Sequence, residues 1–240
     1  MVPKTTALVI SSFQPVTVLK GKIFKSSKGA FFRKSLVVFQ FTLSVVLIAG
    51  TIIVLQQLRF MKNEELGINI NQTLVIKGPG ITDSTYTDKL ESYKTETNRI
   101  TRVLGMTASS NVPGNEIFWT RGIRRLSGFT ENVGSVYHVG IDHDYIPSFK
   151  LTLLAGRNFS KDFNDEDKVI MNKSLATLLN YTDMESAIGE EVRRGGDTLE
   201  IAGIIDDYHQ MSLKNDKAPI VFLLSTSNNV FAYKIDSDNY

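Results

Sequence analysis

The sequence predicts an α+β protein in which one N-terminal transmembrane helix is followed by a mixed α+β extracytoplasmic domain. Three features lead to this prediction: a long uncharged run, basic residues concentrated before that run, and strand-like and helix-like segments mixed throughout the remainder. We divide the chain into a basic cytoplasmic segment (residues 1–34), a transmembrane helix (35–60) and an external domain (61–240).

The transmembrane prediction depends on residues 35–58, which read SLVVFQFTLSVVLIAGTIIVLQQL and contain no charge. A helix needs about 20 mostly apolar residues to cross a bilayer core of about 30 Å. A buried helix of a soluble protein is one alternative, although a helix that is apolar on every side is usually shorter. A cleaved signal peptide is the other, but this run is too long, begins late and lacks a small-residue cleavage site.

The charges beside this run predict the orientation. The first 34 residues carry seven basic side chains and no acid: Lys4, Lys20, Lys22, Lys25, Lys28, Arg33 and Lys34. Because basic residues stay on the cytoplasmic side, we expect the N-terminus inside, residues after about 60 in the periplasm, and the helix in a bacterial inner membrane.

The overall composition limits the partners of the chain. Its net charge is only +2 over 240 residues, and it has no Cys, which excludes disulfides and thiolate metal sites. The basic cluster lies beside the membrane run and lacks the interleaved aromatic residues of a nucleic-acid groove. We therefore expect membrane lipid, and no nucleic acid, as a partner.

Before the membrane run, residues 7–13 are apolar but too short to span a bilayer, and residues 16–21 suit a helical turn. Residues 23–34 mix Lys, Ser, Gly and Phe, which is typical of a loop on the membrane surface.

The first half of the external region predicts a β-α-β unit followed by further strands. Tyr86, Leu90, Tyr93, Thr97 and Ile100 recur at spacings of four and three, which places them on one helical face. The predicted helices are 86–101 and 142–149, and the predicted strands are Thr73–Lys77, Val103–Ser109, 119–126, Val133–Ile141 and 151–154.

The second half predicts more strands around two helical segments and a polar loop at 206–217. A hairpin turns at Gly195 and Gly196. The predicted helices are 173–179 and 182–188, and the predicted strands are Lys168–Asn172, Glu191–Arg194, 198–205, 219–224 and Val230–Ile235. We expect Gly156, Gly189 and Gly203 to serve turns and close packing.

Motifs for catalysis are absent or weak. The chain has no Walker A, HExxH or GxSxG pattern. His138, Asp142, His143 and Asp144 are metal-ligand types, but no second cluster completes a coordination shell. We predict no catalytic, cofactor-binding or metal-binding residues and no enzymatic activity.

Two loops have both a functional and a structural interpretation. His209 lies near Asp206 and could form an acid/base pair, but we assign both residues to loop architecture. A loop with four potential oxygen ligands lacks the Gly and the final Glu of a calcium-binding loop, and we interpret it as a solvated turn; these ligands are Asp162, Asn164, Asp165 and Asp167.

One predicted strand carries an aromatic and basic strip, formed by Trp119, Arg121, Arg124 and Arg125. The strip could bind a partner. A two-sided strand with an exposed basic edge explains the same residues.

A set of ordered motifs resembles a known family. Residues 15–21 (PVTVLKG) and 33–41 (RKSLVVFQF) are similar to the end of one permease repeat and the start of the next in ABC-transporter permeases of the MacB/FtsX type. The periplasmic core of that family is similar to residues 144–146 (DYI), 153–159 (LLAGRNF), 169–176 (VIMNKSLA), 188–189 (IG), 201–209 (IAGIIDDYH), 212–213 (SL) and Pro219.

The resemblance implies a membrane subunit without catalysis, in which a separate cytoplasmic ABC ATPase moves membrane helices beneath a two-lobed periplasmic domain. That domain would handle a substrate or a periplasmic partner. A full repeat has four membrane helices, so we expect this chain to be an internal fragment. Two alternatives remain open: a single-pass sensor that binds a small ligand, and an anchored hydrolase that uses His209 or His138.

Overall fold

A computed structural model describes residues 27–63, 66–128, 131–211 and 216–236. The predictions for residues 7–13 and 16–21, and the motifs at residues 15–21 and 212–213, lie outside the described residues.

The membrane run lies in one long helix, α1, at Ser27–Asn63. It begins earlier than expected, so the prediction of a surface loop up to residue 34 is wrong for its last eight residues. Extending an existing helix costs far less than nucleating one, which favours continuation into this mixed sequence. The most apolar part of the helix is not buried in the protein, and it is long and apolar enough to span a membrane. This argues against the buried soluble helix.

Among the described residues after α1 there are ten strands and short helices, which confirms the α+β class. The helices are α2 (Tyr86–Asn98), α3 (Tyr145–Ser148), α4 (Lys173–Leu178) and a 3₁₀ turn at Glu185–Ala187. The strands are β1 (Thr73–Lys77), β2 (Val103–Ser109), β3 (Thr120–Arg125), β4 (Val133–Ile141), β5 (Leu153–Gly156), β6 (Lys168–Asn172), β7 (Glu191–Arg194), β8 (Asp197–Ile205), β9 (Ile220–Leu224) and β10 (Val230–Ile235). The strand predicted at 151–154 therefore lies two residues later, and the helix predicted at 142–149 is one turn.

Six of the strands form a closed ring in the order β4-β3-β7-β8-β6-β9. The ring closes because β9 pairs in parallel with β4, from Tyr137 opposite Ile220 to Ile141 opposite Leu224. One hydrophobic cluster takes a buried side chain from every ring strand, which places this core inside the ring; these are Ile123, Val136, Val169, Met171, Val192, Leu199, Ile201 and Val221. A second cluster packs α3 against the outer face of β4, β6, β8 and β9.

The remaining long strands extend this ring as a three-stranded layer, β1-β10-β2, covered by α2. The last strand, β10, lies antiparallel between β1 and β2, so the predicted β-α-β unit is split by a strand from the far end of the chain. β2 meets the ring at one residue pair, Ser109 and Ile141. The layer has its own small core, around Leu90, Met106 and Tyr233. The predicted two lobes correspond to the ring and this layer.

Candidate functional site

The candidate metal residues at the end of β4 have protein partners instead. The Asp142 carboxylate accepts hydrogen bonds from Thr107 Oγ1 and from the Ala108 backbone N–H, both at 2.6 Å. The His143 carbonyl accepts a bond from the Asn158 amide. No group of three His, Asp or Glu side chains that could hold a metal occurs within the described ranges.

His138 lies apart from these carboxylates, beside two arginines. Its Nε2 is 3.4 Å from the Arg121 carbonyl oxygen. Burial lowers the pKa of His138 below its ordinary value, and the positive charges of Arg194 and Arg121 act in the same direction. The lowered pKa favours the neutral form of the ring.

Lys94 is the residue that organises the β4 end. It lies on α2 with its side chain only 7% exposed, and its Nζ is 2.7 Å from one carboxylate oxygen of Asp142 and one of Asp144. Burial opposes its charge, but attraction and hydrogen bonding to Asp142, and then to Asp144, raise the pKa of Lys94 above its ordinary value. This ion pair joins the helix of the layer to the end of a ring strand.

The acid/base pair considered at residues 206–209 does not form among the described residues. Asp206 is exposed, and the hydrogen bond found for His209 joins its backbone N–H to the Leu66 carbonyl. The structural carboxylate of this loop is Asp207, which accepts bonds from the backbone N–H and Oγ of Ser174 and from the Asn172 side chain. It therefore ties the loop to the first turn of α4.

The acidic loop after Phe159 is only partly a solvated turn, which corrects the prediction. Asp162, Asn164 and Asp167 are exposed, but Asp165 is buried. Both Asp165 oxygens accept bonds from the Arg157 guanidinium, at 2.6 and 2.7 Å. This bidentate pair holds the pKa of Asp165 below its ordinary value, because a cation favours the ionised carboxylate.

The aromatic and basic strip is not an exposed strand edge, so that part of its interpretation is wrong. β3 is hydrogen-bonded on both sides, to β4 and to β7. Arg125 lies 3.9 Å over the Tyr181 ring, whereas Trp119 is 80% exposed just before the strand.

A cleft between α2 and β1, which we call the β1 groove, is lined largely by apolar side chains. It has a volume of about 630 Å³, and its apolar lining includes Ile76, Ile81, Tyr86, Leu90, Tyr93 and Phe231. A second cleft of about 300 Å³ shares Ile76 and Tyr93 and continues along the helix to Ile100. Such volumes and linings suit apolar side chains or small ligands.

A polar cleft of about 620 Å³ lies near the start of the layer and includes Lys150 and Lys234. Lys234 is already used there, since its Nζ donates to the Asn69 and Asn71 carbonyls and to Thr73 Oγ1. Burial and the charge of Lys150 lower the pKa of Lys234. These contacts fix the segment before β1 and explain this lysine without a ligand.

The sequence analysis missed Lys94, Asp207, Arg157 and the β1 groove. The predicted helical face could have revealed the groove, because Tyr93 of α2 and Ile100, just beyond the end of α2, remain about half exposed. Nothing local marked Lys94, whose acidic partners are about 50 residues away in the chain.

Comparison with known proteins gives a family match. The model of the MacB-like periplasmic core domain matches residues 36–236. Comparison with curated protein sequences found no significant match.

Two solved structures have a similar arrangement. The periplasmic region of MacB from Actinobacillus actinomycetemcomitans is 15% identical, with 72% of this chain and 78% of that chain covered and a TM-score of 0.48. The extracellular domain of the noncanonic ABC-type transporter YknZ from Gram-positive bacteria is 17% identical, with 69% and 84% covered and a TM-score of 0.47.

Proposed function

The chain belongs to the family of MacB-like periplasmic core domains, and on that basis we propose that it is part of a permease subunit of an ABC-type exporter or mechanotransmission complex. In this role it couples a separate cytoplasmic ATPase to an extracytoplasmic domain. The chain itself carries out no catalysis. It acts by changing the position of the external domain, which meets a substrate or a periplasmic partner.

The observation that carries the proposal is the extent of the family match, which begins inside the apolar run of α1 and continues through the last strand. The family model therefore covers most of α1 as well as the external domain. α1 has 37 residues, which corresponds to roughly 55 Å at 1.5 Å per residue. The bilayer core is only about 30 Å thick, so the helix has the length to cross it and continue beyond as a stiff rod.

The orientation follows from the charges. The N-terminal 34 residues carry seven basic groups and no acid, which favours a cytoplasmic N-terminus and a periplasmic location for residues after about 60. The bacterial inner membrane is the membrane in which a cytoplasmic ATPase and a periplasmic domain would meet.

The absence of Cys allows a direct test of orientation. We expect Thr182→Cys, at an exposed position of the external domain, to react with a membrane-impermeant maleimide in intact spheroplasts. We expect Ser26→Cys to react only after permeabilisation. The reverse pattern would contradict the orientation and with it the proposed coupling.

The ATPase partner is tested with the complete reading frame that contains this sequence, purified from membranes of its own host. We expect an ATPase with a Walker A motif to copurify and its turnover to disappear when its Walker A lysine is replaced. Saturable small-ligand binding by a protein that has no ATPase partner would favour the sensor instead.

A further inference from the structure

The free edge of β1 is a second feature of the β1 groove. β1 pairs with β10 on one side, and the described part of the chain places no strand on its other side. Its sequence, TLVIK, has no Pro, no bulge and only one charge, at its end. Natural proteins usually protect such edges with charges, Pro or bulges, since an unprotected edge pairs readily with another chain.

The hydrogen-bond register shows which backbone groups face outward. The Ile235 N–H donates to the Gln72 carbonyl, and the Gly78 N–H donates to the Asn229 carbonyl. Because hydrogen-bonded pairs alternate along antiparallel strands, Leu74 and Ile76 direct their backbone groups toward β10. The N–H and C=O groups of Thr73, Val75 and Lys77 therefore point to the open edge.

The side chains of β1 connect this edge to the groove. Leu74 and Ile76 line the clefts beneath α2 and remain 47% and 45% exposed. Ile81, which follows β1 and lies at the rim, is 88% exposed. A strand added beside β1 would place every second side chain opposite Leu74 and Ile76, and hence over the groove.

We propose that β1 and the β1 groove together bind an extended segment of a partner polypeptide as an added strand with alternating apolar side chains. Backbone pairing with Thr73, Val75 and Lys77 supplies affinity, and the groove selects apolar side chains at every second position. The outward N–H and C=O groups require an occupant that offers main-chain donors and acceptors, which a lipid does not. This inference does not rest on the proposed coupling to an ATPase.

The aromatic side of the β1 groove favours apolar side chains on the face of the segment that covers it. Tyr93 and Phe231 pack against each other with their ring centres 6.1 Å apart and form an aromatic wall. The Tyr93 and Tyr233 hydroxyls are hydrogen-bonded to each other at 3.1 Å. The rings of Tyr93 and Phe231 therefore offer apolar surface to an incoming side chain.

The test uses the full chain in phosphatidylcholine nanodiscs, because detergent would compete for the groove. The probe is a fluorescent seven-residue peptide in which Val or Leu alternates with Thr, and binding is measured by fluorescence anisotropy. We expect saturable binding and slowed amide hydrogen exchange at Thr73, Val75 and Lys77. Absence of binding at millimolar peptide, or binding without that protection, would overturn the proposal.

Three variants separate the two contributions. Val75→Pro removes an N–H that makes no bond to β10, so we expect the fold to persist and the peptide to bind at least tenfold more weakly. Val75→Thr keeps the N–H and the branched side chain and should bind within about twofold of the original. Ile81→Glu introduces a charge at the rim without disturbing the core, and should also weaken binding at least tenfold.

An independent measurement uses the unaltered chain and a peptide that is N-methylated at an amide expected to face β1. This peptide should bind at least tenfold more weakly than the unmethylated peptide. If Val75→Pro and the methylated peptide have no effect, the groove takes apolar groups without strand addition and the proposal is wrong. If the chain instead forms dimers in light scattering and Val75→Pro abolishes them, the occupant is a second copy of this chain, and the partner assignment is wrong.

Discussion

Replacing Lys94 by Met tests the ion pair that joins α2 to the end of β4. The Lys94 side chain is 7% exposed, and that of Asp142 is 9% exposed. Met has a similar length and keeps the apolar contacts of the stem. The substitution therefore leaves a buried carboxylate without its cation, and breaking a buried pair in this way costs about 3–5 kcal/mol.

The surroundings place the expected loss at the lower end of that range. Asp142 keeps its hydrogen bonds from Thr107 and Ala108, and Asp144 is about half exposed, so water can solvate it. We expect a decrease of about 3 kcal/mol in the free energy of unfolding at pH 7. This corresponds to a change of roughly two orders of magnitude in the unfolding constant.

The measurement is pulse proteolysis across a urea series, on the full chain in nanodiscs. The raised pKa of Lys94 means that its stabilisation is fully present below its ordinary, unfolded pKa and is lost only as the pH rises through the higher folded value. At pH 7 the contribution is complete. The measurement at pH 7 therefore reports the full contribution of the ion pair.

Lys89→Met is the matched control on the same helix. Lys89 pairs with Asp83 at 2.6 Å, but both side chains are at least 60% exposed, so the loss should be much smaller than that of Lys94→Met. Adding Asp142→Asn to Lys94→Met should restore part of the stability by removing the buried charge. A loss below 1 kcal/mol for Lys94→Met, or no recovery in the double variant, would refute the reasoning.

Two further predictions concern the packing of β5 against β8 and the acidic loop. In Gly203→Ala the new Cβ would lie 2.4 Å from the Arg157 carbonyl oxygen, so we expect urea unfolding to show a destabilisation of about 1–3 kcal/mol. Gly134→Ala is the control, because its Cβ would meet nothing within 4 Å. Equal effects of the two substitutions would contradict the close packing at Gly203. Asp165 has a lowered folded pKa, so its stabilisation is present above its ordinary pKa and is lost as the pH falls through the folded value. The free energy of unfolding of Asp165→Asn should therefore be lower than that of the original protein at pH 5 but should fall less between pH 5 and pH 2. Parallel pH profiles of the two proteins would show that the Asp165 carboxylate does not stabilise the fold.

Strands with a clear periodicity and flanking turns could be predicted from the sequence. Val133–Ile141 and Lys168–Asn172 have the predicted bounds, because apolar residues in these runs fill cores on both faces of the sheet. The ends of α1 and α2 were less accurate. The sequence has no strong helix-boundary signal just after residue 23, before α1 begins, or just after Asn98, where α2 ends. Without such a signal, the position of a helix end depends on packing and on the surrounding medium.

The candidate site could not be predicted from local pattern. β1 reads as an ordinary half-buried strand, and only its position beside β10, with nothing on its other side among the described residues, makes it an edge. The glycines were more tractable: Gly156 has a φ of 68°, and a Cβ there would meet the Ala202 carbonyl oxygen at 2.3 Å. Close packing of β5 on β8 therefore requires Gly at that position, as expected.

The central position of β10 also governs how the layer can be made. β1 and β2 cannot pair with each other, because the strand that separates them is at residues 230–235. Thr73 contacts Lys234, a partner 161 residues further along the chain, and so β1 and β2 leave the ribosome long before β10 does. During that interval two apolar strands are unpaired, which makes this stage of synthesis a point at which a chaperone would act or aggregation would begin.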